Sequence, residues 1–260
     1  MGIEKNKVNV DVPVPKIIEF LGCPMHTWTM KQTLEQITTR IDAGVQTQHV
    51  VVNVAKLVTM RKDAKLRNAV VNCDIINIDG MGIVWGARWM GHKVPERVSG
   101  VDLFHELLEL AAQRGYPVFL LGATLDVVEE TAKVVSSQYP GLKLAGFHHG
   151  YFWDDEESVV RKIGRSGAKL LFVAITSPKK EEFIDHWKEH LGVNFVMGVG
   201  GTFDVVAGKA LRAPVWMQES GLEWLYRVIQ EPRRLWKRYL VTNSQYVWML
   251  LKARMGFLDK

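Results

Sequence analysis

Short apolar segments alternate with longer segments of helical period from residue 17 to about residue 200, and this alternation limits the possible folds more than any other feature. The apolar segments are IIEFLG, HVVVNV, DIINI, PVFLLG, LKLAGF, AKLLFVAI and NFVMGVG. Helices are predicted over 30–43, 55–71, 81–90, 125–138, 155–165 and 178–190, with a further one around 103–111. Alternating strands and helices form right-handed βαβ units. The predicted class is therefore α/β, with a mainly parallel, Rossmann-like sheet flanked by helices.

The pattern changes to helices alone after about residue 205, with Pro214 and Pro232 near predicted helix starts. This predicts a catalytic core over 1–208 and a C-terminal helical appendage over 209–260. The N-terminus has no apolar signal region, and the chain has no apolar run of about 18 residues. Cys23 and Cys73 lie far apart without metal-ligand spacing. A reducing, cytoplasmic setting is predicted.

Charge and aromatic residues are concentrated in the appendage. Residues 210–260 hold nine Lys and Arg against four acids, which accounts for the net charge of +5, and four of the nine tryptophans. The stretch 239–251 is uncharged but too short to cross a bilayer. An anionic membrane surface or a pyrophosphate group suits this composition. A basic helix packed on its own core, with a solvated charged face, suits it equally, whereas no motif for nucleic-acid binding is present.

Polar and glycine-rich segments follow several predicted strands, where ligands of parallel sheets collect. Glycines there would allow close backbone approach to a phosphate. No third glycine completes a dinucleotide fingerprint, and no P-loop is present. The candidate binding residues of these segments are Asn53, Asp79, Gly122, Ser177, Lys180, Gly200 and Asp204.

Asp79 is the most informative carboxylate because it ends an apolar strand and begins a glycine-rich turn. Burial there would raise its pKa and suit it to act as a general base. Capping the helix near Gly82 is an equally good interpretation, and Asp204 has the same ambiguity. The acidic run 154–157 is interpreted as a first helical turn rather than a metal site. We predict no metal and no cofactor.

Long segments of the chain resemble the WecG/TagA/CpsF family of bacterial glycosyltransferases. They are VVNVAKLV, INIDGMGIVWGARWMG, PERVSGVDLFHELLELAAQRG, VFLLGA, YPGLKLAGFHHGYF, SPKKE and GVGGTFDVVAGKALRAPVWMQESGLEWLYRVIQEPRRLWKRYL, and they cover about residues 20–240. The resemblance implies an inverting, metal-independent enzyme that transfers a sugar from a UDP-sugar to a sugar on polyprenyl pyrophosphate. It further implies that the enzyme acts at the inner face of the cytoplasmic membrane, in surface polysaccharide assembly. Members of the family can form homo-oligomers through the core, so the resemblance allows a homo-oligomer here.

The resemblance also implies roles for particular residues. Asp79 matches the base of the family, Asn53 a polar residue of the first switch-point loop, and Arg97 an arginine before a Ser-Gly helix start. Arginines of the appendage are expected to close over the active site or to bind lipid pyrophosphate and membrane, since guanidinium suits phosphate groups. Those arginines are Arg212, Arg227, Arg233, Arg234 and Arg238.

Three positions depart from the family pattern, which usually has Thr at position 51, Gly at 176 and Gln at 180. Val51, Thr176 and Lys180 stand there instead. Losing a hydroxyl and gaining a cation would alter donor choice. The donor is therefore expected to be of the N-acetylmannosamine type, glucose or a uronic acid, with Lys180 as partner of a donor carboxylate. The alternative function is a non-catalytic, membrane-associated nucleotide-sugar-binding or scaffold protein.

Overall fold

The computed structural model describes residues 16–257, except for the side chain of Arg234. Its eight strands form one sheet in the order β1-β2-β4-β3-β8-β7-β5-β6. They are β1 Ile17–Phe20, β2 Cys23–His26, β3 Thr47–Val52, β4 Ile75–Ile78, β5 Val118–Gly122, β6 Leu144–His148, β7 Leu170–Ala174 and β8 Phe195–Gly198. Strands β1 and β2 are antiparallel, and every other neighbouring pair is parallel. The predicted α/β class and mainly parallel sheet are confirmed.

Helices cover both faces of the sheet. The core helices are α1 Met30–Asp42, α2 Val54–Met60, α3 Ala64–Val71, α4 Met81–Trp89, α5 Gly100–Arg114, α6 Leu125–Gln138, α7 Glu156–Arg165, α8 Lys179–Trp187 and α9 Thr202–Val206. Helices α1, α5 and α6 bury apolar residues against one face. Helices α2, α3 and α4 cover one half of the opposite face, and α7 and α8 cover the other half. Burial of these apolar surfaces is the main stabilising contribution.

Three predicted elements differ from the observed ones. The segment 17–22 and the residues after it form a hairpin, because Leu21 and Gly22 take left-handed backbone angles, with φ of 51° and 76°. The helix predicted over 55–71 is two helices, since Asp63 accepts a hydrogen bond from Leu66 N and caps a new helix start. The helix predicted over 178–190 ends in a short 3-10 helix at Lys188–His190.

The C-terminal part contains α10 Val215–Glu219, α11 Glu223–Gln230 and α12 Pro232–Arg254. Helices α10 and α12 begin at the two predicted prolines, whereas the start of α11 has no proline. Helix α12 packs closely on α4, where the Tyr246 hydroxyl donates to Gly82 O at 2.9 Å. A Cβ atom at Gly86 would overlap that hydroxyl. Leu235, Tyr246 and Ala253 of α12 are buried. The division at 208/209 into a core and an appendage stays a prediction.

The outer face of α12 carries apolar as well as basic side chains. Large apolar side chains are exposed there: Trp236, Leu240, Val241, Trp248 and Leu251. Three of them, Trp236, Leu240 and Leu251, recur at helical spacing and share one stripe. Among residues 16–257, no helix is both long and apolar enough to cross a membrane. Helix α12 therefore presents apolar surface both to the core and away from it.

Candidate active site

A cleft of about 1040 Å³ lies between the carboxyl ends of β3, β4 and β8 and the helices α10–α12. Strands β3 and β8 are neighbours in the sheet, although they are far apart in the sequence. The chain leaves β3 towards β4 on one side and reaches β8 from β7 on the other. Such switch points open a crevice in which α/β proteins bind ligands. The fold thus places the cleft where the sequence predicts a site.

The structure brings about half of the predicted site residues into this cleft. Its lining includes Asn53, Asp79, Arg97, Asp204, Arg212, Arg227 and Arg238. The predicted residues Gly122, Ser177, Lys180, Gly200 and Arg233 lie outside that lining. The side chain of Arg234 lies outside the described part of the structure. The cleft therefore joins three strand ends of the core to the arginines of the C-terminal part.

Asp79 lies at the end of β4, where its backbone N–H donates to Val52 O at 2.9 Å. It does not cap α4: the cap position is Gly80, and no side chain caps that helix. Its carboxyl group is half-buried and borders the cleft. Burial raises the pKa of Asp79 to about 6, with a further contribution from Glu223, while Arg97 and Arg227 act in the opposite direction. A carboxylate with a pKa near neutrality suits a general base.

Arginines from three segments line the cleft together with Asp79. Arg97, in the loop before α5, contacts Glu223 at 3.1 Å and donates to Gln218 at 3.3 Å. Arg227 contacts the other oxygen of Glu223 at 3.0 Å. Arg212 pairs with Asp102 of α5 at 2.6 Å, yet its Nε and Nη2 are buried and have no hydrogen-bond partner among the described residues. Guanidinium groups in this arrangement suit an anionic ligand.

Asn53 both lines the cleft and caps helix α2. Its side-chain oxygen accepts a hydrogen bond from Lys56 N at 3.0 Å and caps α2. This bond fixes the loop that follows β3. Gly80, whose φ is +99°, forms the facing turn after β4, and a Cβ there would lie 4.0 Å from Asn53 Cβ. The two loops therefore form one wall of the cleft.

Lys180, the predicted partner of a donor carboxylate, lies outside the lining of the cleft. It is buried at 6 % exposure and lies 2.6 Å from Glu181, which also contacts Lys56 at 2.8 Å. The role of Lys180 as partner of a donor carboxylate stays a prediction. Val51 packs against Gly100, with 3.3 Å between its side chain and a Cβ built there. Position 51 thus lies against α5, outside the cleft lining.

The other predicted residues outside the cleft lining lie in turns, loops or helix starts, and these positions account for the residue types found there. Gly122 closes β5 with φ of +127°, and a Cβ there would overlap the backbone of Ala174. Gly200 forms a turn after β8 with φ of +55°. Ser177 is exposed in the loop between β7 and α8. The acidic run 154–157 begins α7 as predicted, with Asp155 capping Ser158 N.

Sequence reasoning missed the aromatic wall and the acidic centre of the cleft. Trp85 and Trp89 of α4 line it and are about half exposed. Glu223 lies between Arg97 and Arg227. No local sequence pattern indicates that it occupies the centre of the cleft. The spacing of Glu223 and Arg227, four residues apart on one helix, is the only local sign of their ion pair. Among the described residues, no three His, Cys, Asp or Glu side chains form a metal-binding group.

A weakly acidic carboxyl group that faces an open cleft beside guanidinium groups is an arrangement suited to group transfer. The profile described as "Glycosyl transferase WecG/TagA/CpsF family" matches residues 18–260. The chain belongs to this family of glycosyltransferases, and its resemblance to the family is confirmed.

Two curated relatives have the same name, N-acetylglucosaminyldiphosphoundecaprenol N-acetyl-beta-D-mannosaminyltransferase. The protein of Bacillus subtilis (strain 168) is 36 % identical over 191 residues, which are 74 % of this chain and 73 % of the relative. The protein of Bacillus spizizenii (strain ATCC 23059 / NRRL B-14472 / W23) is 37 % identical over 181 residues, 70 % of this chain and 69 % of the relative. Both relatives are named for sugar transfer to a lipid-linked diphosphate sugar.

Proposed function

We propose that this protein is an inverting, metal-independent glycosyltransferase that moves a sugar from a UDP-sugar to a sugar carried on polyprenyl diphosphate, in bacterial surface polysaccharide assembly. The observation that supports the proposal best is Asp79, a carboxyl group with a pKa of about 6 that faces a cleft bordered by arginines. The names of the two relatives supply the class of acceptor.

The proposed reaction needs one proton acceptor and stabilisation of one leaving group. The Asp79 carboxylate takes the proton of the acceptor hydroxyl as the hydroxyl oxygen attacks the anomeric carbon of the donor. The bond from that carbon to the UDP oxygen breaks, and UDP leaves with the bonding electron pair. Arg212, Arg227 and Arg238 line the same cleft and are suited to stabilise the charge on the diphosphate. Attack from the face opposite UDP inverts the anomeric configuration.

The donor is proposed to be of the N-acetylmannosamine type, as in the names of the relatives. A uronic acid donor has less support, because Lys180 is buried against Glu181. Glucose is the second candidate from the residue change at position 51 alone, since Val51 lies outside the cleft lining.

The test is UDP release from a panel of UDP-sugars, with a synthetic polyprenyl diphosphate carrying N-acetylglucosamine as acceptor and with EDTA present. We expect release with one donor, only in the presence of acceptor, and at the same rate with or without EDTA. The product linkage should have the anomeric configuration opposite to that of the donor by NMR. Binding of UDP-sugar without release from any donor would favour the scaffold alternative, and loss of activity in EDTA would contradict metal independence.

We also propose that the protein lies on the inner face of the cytoplasmic membrane through α12. The exposed apolar stripe of that helix includes Trp236, and basic side chains such as Arg233 and Lys237 are exposed next to it. Apolar insertion together with attraction to anionic lipids gives reversible surface binding. A helix on the surface would bring the cleft near a lipid-linked acceptor.

Replacing Trp236 and Leu240 together by Ser is expected to reduce co-sedimentation with phosphatidylglycerol vesicles at least about tenfold, since two large apolar groups of the stripe would leave the interface. Deleting the appendage is a poor test, because Leu235, Tyr246 and Ala253 are buried in the core. The control is Tyr151→Ser, which removes another exposed aromatic group, outside α12. Equal sedimentation of wild type and the double variant would assign membrane binding to another surface.

A further inference from the structure

Glu223 connects two arginines at the centre of the cleft. One carboxylate oxygen lies 3.1 Å from Arg97 Nη1, and the other lies 3.0 Å from Arg227 Nη2. The side chains of Glu223 and Arg97 are 21 % and 15 % exposed, so this pair is largely shielded from water. The ion pair between them joins α11 to the loop before α5.

Two other arginines of the cleft, Arg212 and Arg238, offer hydrogen-bond donors for an anion. Arg212 Nε and Nη2 are buried donors without a hydrogen-bond partner among the described residues. Arg238 also lines the cleft and is exposed. Buried donors of this kind are normally satisfied by a partner. Arg212 thus offers an independent sign that the cleft receives an acceptor of hydrogen bonds.

A carboxylate and a phosphate group present similar pairs of oxygen atoms to guanidinium groups. Glu223 places two oxygens against two different arginines, as a non-bridging pair of phosphate oxygens would. A diphosphate has more negative charge and more acceptor oxygens than a single carboxylate. It can therefore engage Arg97 and Arg227 together with the unused donors of Arg212.

We propose that Glu223 occupies an anion subsite of the free protein and that the diphosphate group of a substrate displaces it on binding. This proposal rests on the proposed function, in which both donor and acceptor contain a diphosphate. Displacement frees Arg97 and Arg227 for the ligand and lets α11 release its contact with the core loop. Glu223 thereby lowers the affinity of the protein for diphosphates, because the diphosphate must replace Glu223 as the partner of Arg97 and Arg227.

The test is titration calorimetry of inorganic pyrophosphate, UDP and geranyl diphosphate with wild type and Glu223→Gln. The variant keeps the size of the side chain and removes the competing charge. We expect it to bind at least one of the diphosphates about tenfold more tightly, because the neutral amide competes less well for the two arginines than the carboxylate does. The matched control is Glu219→Gln, which makes the same charge change on an exposed residue outside the cleft lining. The control should bind as wild type does.

The three ligands distinguish the sources of the diphosphate. Tighter binding of UDP alone would assign the subsite to the donor, and tighter binding of geranyl diphosphate alone would assign it to the lipid acceptor. Unchanged or weaker binding of all three in Glu223→Gln would overturn the proposal, and so would an equal gain in Glu219→Gln. Glu223→Ala is the second variant and should show the same gain. Failure of both variants to fold would also overturn it, because a contact required for folding is not displaced by a ligand.

These measurements do not depend on turnover. A gain in diphosphate affinity without sugar transfer would support the subsite and contradict the proposed enzyme. Sugar transfer without that gain would support the enzyme and contradict the subsite.

Discussion

Asp79→Asn is expected to lower the rate of sugar transfer by about 10²–10⁴, the usual contribution of a general base. The amide is nearly the same size as the carboxyl group but cannot accept the proton of the acceptor hydroxyl. Asp79 does not cap α4, so the variant loses no helix cap. We therefore expect the loss in kcat, with little change in the binding of UDP or in the melting temperature.

The pH dependence of wild type provides a second measurement on the same residue. Burial raises the pKa of Asp79 to about 6, so the carboxyl group becomes protonated as the pH falls through that value. The base is lost on the acid side, and kcat/KM should fall below about pH 6 and level off above it. This acid limb should be absent from the residual activity of Asp79→Asn.

The control is Asp63→Asn, which makes the same substitution at the cap of α3, outside the cleft lining. Asparagine also caps helices well, so this variant should keep both its stability and its activity. Nearly normal turnover of Asp79→Asn would show that Asp79 is not the general base. The proposed reaction would then lack its proton acceptor.

The sequence predicts the fold well where local pattern and tertiary structure agree. Buried parallel strands such as β7 are continuous apolar runs, and they are identified by composition alone. The hairpin of β1 and β2 was missed, because it depends on left-handed angles at Leu21 and Gly22 within one apolar segment. The break at Asp63 was missed because the apolar period continues across it.

The site is predictable to the extent that strand ends determine it. Asn53 and Asp79 follow adjacent parallel strands, so they must lie at the same edge of the sheet. The contact of Arg97 with Glu223 spans 126 residues and has no counterpart in any local pattern. Lys180 shows that a position after a strand end does not by itself place a side chain in the cleft. It follows a strand end as a binding residue should, but the first turn of α8 directs it into the protein, where Glu181 is its partner.

Glu181→Gln is expected to lower the free energy of unfolding by about 3–5 kcal/mol, the usual effect of removing one partner from a buried ion pair. Glu181 is 5 % exposed and lies between Lys56 of α2 and Lys180 of α8. The two lysines hold the pKa of Glu181 below its usual value in spite of its burial. Without the carboxylate, two ammonium groups would remain buried close to each other with no countercharge.

Denaturant unfolding at two pH values separates this explanation from a simple loss of packing. Burial lowers the pKa of Lys180 to about 8, and removal of Glu181 should lower it further, because the nearby carboxylate favours the charged amine. The unfolded chain binds this proton more tightly than the folded one, so the stability of the variant should rise with pH up to the unfolded pKa. The stability lost in Glu181→Gln should therefore be smaller at about pH 9 than at about pH 6.

Glu182→Gln is the matched control, since it changes the neighbouring acid on α8, which is not fully buried. Its effect on the free energy of unfolding should stay within about 0.5 kcal/mol. A small loss of stability in Glu181→Gln, accompanied by a change of preferred donor sugar, would return Lys180 to the donor site. A large, pH-dependent loss without a change of donor would instead establish the Lys56–Glu181–Lys180 cluster as the support that holds α2, and with it Asn53, against α8.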